Sequence, residues 1–510
     1  MKPIADLHIH CSLKSFLGSW DESKRESIWN HISSPFPWQA LAPIFDSQSN
    51  LNQAQTGGVK LFFAALHPLE QPIAKELYYI IKDIASNMPR LNLELMRKMK
   101  DFEKSSFEWM MEEWSHIQSH LNGPGGQSAK VLRTYTDYDP AFQGPQLVMN
   151  VEGGHSFYNQ PGLGDAQDIH SIISNLESFK TNPDAPRIFY LTLSHLCQNM
   201  FANHAFGMKL INNPQFKPSG NGVTAEGKLF IDALLSTTNG YRILVDVKHM
   251  SAQSRKDYYQ HNNGRAPILA SHVGFTNLSW NEAMYLKSAM DSEGLFLNER
   301  GERHDGSKSV NMHNQYPWVR GHSQFVHHNP WTINLFKEEI PIIMNSGGLI
   351  GVSLDQRILG FGQHGEENIS REEWLSLSSK GVKRFAEYNT QAKFQEYPDW
   401  RNEFFPTLHL KHFANNLVAM SMSGFAGDPW NHFAIGSDFD GLIDAINCCK
   451  DASQYQSFAN RLADILHDIY KNDFNNPLPA STIDSIVDRV CFTNAERFLS
   501  ENFTPEFGFD

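Results

Sequence analysis

The stretch "PIADLHIH", residues 3–10, decides how the rest of the chain is read. It is a short apolar run that stops at two histidines spaced i, i+2. In a β-strand such residues share a face, so His8 and His10 point the same way. Taken alone, the pair is either two inward histidines hydrogen-bonded in a core or two ligands of one ion. Outward from it, seven more runs repeat the form: "VKLFFAALH" from Val59, "QLVMNVEGG" from Gln146, "IFYLTLSH" from Ile188, "RILVDVKH" from Arg242, "PILASH" from Pro267, "GLIGVSLD" from Gly348 and "FAIGSDFDG" from Phe433. They favour Val, Ile, Leu and Phe, and longer amphipathic stretches separate them. That is the pattern of buried parallel strands joined by helical crossovers. Eight such units predict an α/β fold, a (β/α)8 TIM barrel.

The helical pattern over 72–121 is too long for one helix, whereas 224–238, 330–346, 407–422 and 454–470 each predict a single one. "GPGG" at 123–126 predicts a turn. No Pro- or Gly-rich linker divides the chain. Residues 1–510 therefore read as one barrel domain, lengthened by helical and loop insertions at about 68–145, 281–332 and 357–404.

Composition narrows the class. With 510 residues, 41% of them hydrophobic, the chain can bury a large core, and its net charge of −13 argues against nucleic acid or an anionic membrane as partner. Five cysteines make no disulfide framework and match no zinc ribbon. The N-terminal stretch has no apolar signal-peptide core, and no apolar run nears the ~20 residues that span a bilayer. The expectation is a soluble, cytoplasmic protein with no membrane partner.

The chemistry falls at one end of the strands. His8 and His10 end the first run, His67 the second, Glu152 the third, His195 the fourth, His249 the fifth and His272 the sixth; Asp355 follows the seventh, and Asp438 and Asp440 end the eighth. In a barrel that end carries the active site. One histidine after a strand is ordinary, but six at the same end are hard to attribute to packing. Imidazole nitrogen and carboxylate oxygen together suit Zn²⁺ and similar divalent ions. A carboxylate such as Glu152 can bridge two ions, a water between them becomes hydroxide near neutral pH, and an acid/base carboxylate, Asp438, can carry the proton to a leaving nitrogen.

The motifs resemble those of the membrane (renal) dipeptidase family of zinc peptidases, within the amidohydrolase superfamily. "VEGGHSF" (151–157) is similar to the family's Glu-Gly-Gly-His segment, "YLTLSHLCQNMFA" (190–202) to its Tyr-Leu-Thr-Leu-Thr-His strand, and "GVTAEGK" (222–228) to its Gly-Leu-Thr-x-x-Gly segment. "LVDVKHMS" and "PILASHV" resemble its two strands with zinc-binding histidines, and "IGSDFDG" (435–441) its Gly-x-Asp-Phe-Asp-Gly motif. These motifs occur in family order between His8 and Asn494. The resemblance implies two divalent metal ions, expected to be zinc. His8 and Asp438 would bind the first, His249 and His272 the second, and Glu152 would bridge them. It further implies that His195 stabilises the oxyanion or orients the scissile carbonyl, and that Asp438 shuttles the proton.

Three departures stand out. The family's first motif is typically His-x-Asp, where this chain has His8-Ile9-His10, so His10 is expected as a ligand in place of Asp. The family's substrate-gripping Arg, in an Arg-Asn-x-x-Asp stretch, is replaced in "HHNPWT" by His328, which is therefore expected to bind substrate. The chain is also longer than typical members. Arg300, Arg303 and Arg320 are alternative carboxylate clamps, and the loop histidines 304, 313, 322, 327 and 328 read as ordinary polar residues.

Other motifs fail on inspection. "GVTAEGKL" lacks the strand and the Ser or Thr that a phosphate loop needs, and no GxSxG or HExxH is present. The sequence thus predicts a zinc-dependent hydrolase that cleaves an amide bond in a dipeptide-like small molecule by attack of a metal-bridging hydroxide. The alternatives are another amidohydrolase chemistry, N-acyl amino acid deacylation or lactone opening, and a non-catalytic metal-binding barrel acting as a binding module. The expected partner is a small-molecule or dipeptide substrate, with a homodimer as the assembly to test.

Overall fold

The computed structural model describes residues 1–18, 25–33, 46–82, 92–208, 213–285, 287–290, 309–314, 319–321, 326–361, 366–378 and 405–504. All eight quoted runs are strands: β1 (Ile4–Ile9), β2 (Val59–Leu66), β3 (Gln146–Glu152), β4 (Ile188–Thr192), β5 (Leu244–Asp246), β6 (Leu269–Val273), β7 (Leu349–Val352) and β8 (Phe433–Ile435). Their order in the sheet is β2-β1-β8-β7-β6-β5-β4-β3, every pairing is parallel, and β2 pairs with β3 from Leu61↔Gln146 to Leu66↔Val151. The sheet therefore closes on itself as an eight-stranded parallel barrel. Helices follow the strands around it, among them Ile169–Thr181, Ala225–Leu235, Ala252–Asn262, Phe405–Ser421 and Tyr455–Asp468.

Closure depends on close backbone approach. A Cβ on Gly436 would lie 1.8 Å from the carbonyl oxygen of Ser271, so only glycine lets β8 and β6 come this near. The strands are buried on both faces, and their apolar side chains join those of the helices in one continuous core.

The 72–121 pattern resolves into Gln71–Lys82, Leu93–Lys100 and Ser106–Ser119. The last begins with a capping box, in which Ser105 Oγ accepts from Glu108 N and Glu108 Oε2 accepts from Ser105 N; such a cap contributes about 1 kcal/mol. "GVTAEGK" is also a helix start, with Thr224 Oγ1 capping the amide of Gly227. The single helix expected over 330–346 is confined to Glu339–Asn345. Residues before it pair instead with the extension of β6: Leu335 N donates to Gly274 O, and Thr276 N donates to Leu335 O. Backbone claimed by a strand extension cannot also serve a helix.

Parts of the long segments after β6 and β7 meet in a three-stranded antiparallel sheet, Lys287–Met290, Ser309–Asn314 and Glu366–Ser370. The next helix, Arg371–Ser378, carries the buried Glu373, which accepts from Asn203 Nδ2, Gly222 N and Ser251 Oγ. That carboxylate fastens the segment to the loops after β4 and β5. No helix among the described residues is long and apolar enough to cross a membrane.

Candidate metal centre

Glu152, at the C-terminal end of β3, is the hub of the site. Its Oε1 lies 3.1 Å from His249 Nε2, 3.3 Å from His8 Nε2 and 3.6 Å from His272 Nε2. Its Oε2 lies 3.1 Å from His10 Nε2, 3.6 Å from His195 Nε2 and 3.7 Å from His67 Nδ1. Asp438 closes the ring, with Oδ1 3.4 Å from His10 Nε2 and Oδ2 3.9 Å from His272 Nε2. Seven residues read from the sequence (His8, His10, Glu152, His195, His249, His272 and Asp438) thus converge at one barrel end.

Local backbone aims several of them. His249 and Asp438 both sit at φ +64°, a left-handed conformation that side chains rarely adopt. Hydrogen bonds hold each in place: Ala205 N donates to His249 O, and Asp438 N donates to His8 O. Gly153 has φ +92°, and a Cβ there would strike the His155 ring, which explains the first glycine of "EGGH". Asp440, two residues after Asp438, faces elsewhere. It accepts from Gln48 N, Ser49 N and Ser49 Oγ and pairs with Lys14 Nζ at 2.6 Å, so it secures the loop after β1.

Two hydrogen-bond relays fix histidine tautomers. The Tyr190 hydroxyl donates to Leu7 O, so its oxygen must accept from His8 Nδ1, 3.0 Å away. The Ser271 hydroxyl donates to Asp246 Oδ2, so its oxygen must accept from His272 Nδ1 at 2.8 Å. In both rings the proton held on Nδ1 leaves Nε2, the nitrogen facing Glu152, to meet an ion, as for metal-ligating histidine with its other nitrogen held. Sequence reasoning missed Tyr190, Ser271 and Asp246 in these roles. The one available signal was Asp246, an acid inside an otherwise apolar strand.

The donor set suits divalent ions. His8, His10 and Asp438 form one group and Glu152, His249 and His272 another, each with one donor atom per residue within 4.8 Å of the others. The His8–His10 and His249–His272 Nε2 pairs are both 3.1 Å apart. Bonds of about 2.0–2.1 Å to a tetrahedral ion imply edges of about 3.3 Å, close to these spacings.

Electrostatics divide the donor set. Burial would raise Glu152, but the surrounding imidazoles, His195 foremost, hold its carboxyl well below the usual range. Burial pushes His249 and His272 well below the ordinary histidine value, into the neutral form that binds metal. Burial would also depress His10, yet Glu152 and Asp438 outweigh it and lift it to about 10, so His10 must give up a proton before it can ligate an ion. Asp438 is raised by burial and by the charge of Glu152.

A third group, His67, Glu70 and His195, adjoins these two. Glu70 lies in the loop after β2, and nothing in the sequence marked it as part of the site. His328 lies apart from the cluster: its Nε2 meets the Asn415 amide at 2.9 Å, its ring stands edge-on to Phe275, and among the described residues no contact joins it to Glu152. Arg300, Arg303, His304 and His322 lie outside the described residues, as do the side chains of Arg320 and His313.

Residues 146–284 match the membrane dipeptidase family, peptidase family M19. The resemblance read from the motifs is borne out over that segment, which carries Glu152, His195, His249 and His272, and the chain reads as a metal-dependent hydrolase. Two solved structures resemble the whole chain. One is a metallo peptidase from Rhodobacter sphaeroides bound to a phosphinate mimic of the dipeptide L-Ala-D-Ala, with 15% identity, coverage of 98% of this chain and 99% of that one, and a TM-score of 0.50. The other is a dipeptidase of family M19, with 14% identity, the same coverages and a TM-score of 0.50. At such identity they speak for the fold, the barrel described above. No curated protein is significantly similar in sequence.

Proposed function

We propose that this chain is a dipeptidase that hydrolyses the amide bond of a dipeptide-like small molecule at a binuclear divalent metal site, with zinc as the expected metal. The observation that carries the proposal is the placement of Glu152, whose Oε1 stands 3.1 Å from His249 Nε2 and 3.3 Å from His8 Nε2 and whose Oε2 stands 3.1 Å from His10 Nε2. In this reading His8, His10 and Asp438 would hold one ion, His249 and His272 the other, and Glu152 would contribute to both. Bound there, the ions would supply Lewis acidity and a water acidic enough to ionise near neutral pH.

The remaining work belongs to the chain. His195, whose charged form Glu70 and Glu152 favour against burial, donates from Nε2 to the scissile carbonyl oxygen and orients it. Asp438, raised by burial, takes up a proton and delivers it to the leaving nitrogen. The buried cluster keeps bulk water from the reacting groups.

The test is metal analysis of the purified protein followed by a substrate panel that includes dipeptides with D-configured C-terminal residues. Turnover of dipeptides at two metal equivalents is expected. Turnover of N-acyl amino acids or lactones alone would overturn the substrate class. Neither metal uptake nor hydrolysis after Zn²⁺ addition would leave a binding module.

A further inference from the structure

His195 has a carboxylate behind it. Glu70 is buried, and its Oε1 lies 2.8 Å from His195 Nδ1 and 3.2 Å from Leu196 N, so one oxygen takes both the ring and the adjoining backbone. The other ring nitrogen, Nε2, lies on the side of Glu152, 3.6 Å from Oε2. His67 and His249 flank the ring edge-on, with centroids 4.5 and 4.6 Å away. In that slot the ring keeps one main freedom, a flip that exchanges the positions of its two nitrogens.

We propose that Glu70 is the positioning residue for His195: by accepting from Nδ1–H it turns Nε2 toward the Glu152 cluster, where the Nε2–H donates to a substrate carbonyl bound there. A carboxylate behind an imidazole is a general means of fixing tautomer and ring orientation. His67 does not compete for Glu70. Its Nδ1 lies 3.2 Å from the Glu152 carbonyl oxygen and donates to it, so its Nε2 carries a lone pair. That Nε2 faces Glu70 Oε2 at 3.7 Å, acceptor against acceptor, and Oε2 has no hydrogen-bond partner among the described residues. Glu70 therefore has one oxygen committed to His195 and one left over. The inference rests on the dipeptidase reading only where turnover is its readout.

Glu70→Ala and Glu70→Gln, prepared metal-replete, test it. A Gln amide oxygen can accept from both His195 Nδ1 and Leu196 N, while its NH₂ would face the His67 lone pair, so this variant preserves orientation without charge. Glu70→Ala should lower kcat/KM for a dipeptide about ten- to hundred-fold at unchanged metal content, and Glu70→Gln should restore most of it. In ¹⁵N histidine spectra, the His195 signal (assigned by its loss in His195→Gln) should show Nδ1 protonated in wild type and Glu70→Gln, and a mixture in Glu70→Ala. Wild-type kcat/KM with an unchanged His195 signal in Glu70→Ala would overturn the proposal. So would a Glu70→Gln variant as impaired as Glu70→Ala, or a wild type holding one metal ion more than both variants, which would make Glu70 a ligand. Should wild type cleave no dipeptide, the dipeptidase reading fails, and the ¹⁵N signals still decide the role of Glu70.

Discussion

The two sides of Glu152 use similar imidazoles in different company. On the β1/β8 side, Asp438 Oδ1 lies 3.4 Å from His10 Nε2; on the β5/β6 side the same carboxylate is farther off, with Oδ2 3.9 Å from His272 Nε2. Each side has one histidine with a fixed tautomer. The His8 relay runs through Tyr190 and ends on the neutral carbonyl of Leu7, whereas the His272 relay runs through Ser271 and ends on the carboxylate of Asp246. Each side also has one histidine, His10 or His249, whose buried Nδ1 has no hydrogen-bond partner among the described residues. The first side thus has the carboxylate nearest its donors, and the second has a further one two hydrogen bonds behind His272. A carboxylate behind the relay makes the imidazole a stronger donor.

The largest effect expected is at Asp438, to which the proposed function gives the roles of ligand and proton carrier. Asp438→Asn should lower kcat about 10³-fold, inside the range of acid–base catalysis. A metal-replete variant with near-normal kcat would remove Asp438 from the mechanism.

The relays come next. Ser271→Ala cuts the link from His272 to Asp246 and should weaken one of the two ions about ten- to hundred-fold. Tyr190→Phe cuts a relay that ends on a neutral carbonyl and should weaken the other by less. Competition with a chelator reads both affinities, and equal losses would erase the distinction between the two sides.

His10 offers a smaller test. His10→Asp adds a negative charge to the β1/β8 side, and titration calorimetry should show its ion bound more tightly while the other changes little. Unchanged affinity would mean that the charge on this side does not set the strength of binding.

The last prediction sets histidines remote from the site against those in it. Burial lowers His116 to about 3 and His412 to about 4. Each folded value lies below the unfolded value of 6.5, so the unfolded chain binds more protons between pH 6.5 and about 4. Stability is therefore full above pH 6.5 and falls as pH drops through that window, by up to about 3 kcal/mol for His412 alone. Denaturant melts of wild type and His412→Gln across the window should show a shallower slope in the variant. Parallel slopes would contradict the assignment.

Much of this was legible in the sequence because barrel strands are apolar runs that stop where chemistry begins. All eight strands, and the six residues from His8 to Asp438 that surround Glu152, follow from that alternation. Residues that act through others were not legible. Tyr190 and Ser271 look like strand residues, and Glu70 sits in an ordinary loop, "HPLEQ". Their roles depend on which side chain lies across the barrel, and spacing along the chain carries no record of that. The same limit applies to His328, which follows a plausible motif yet packs against Asn415, and to 330–338, where a helical pattern gives way to pairing with the end of β6.

The central claim is that Glu152 joins two ions. Metal analysis of the purified protein, combined with anomalous diffraction at the metal edge, tests it most directly. The account predicts two ions per chain, one on each side of the Glu152 carboxylate, and loss of both in Glu152→Gln. A single ion, or two ions retained in full by Glu152→Gln, would contradict it.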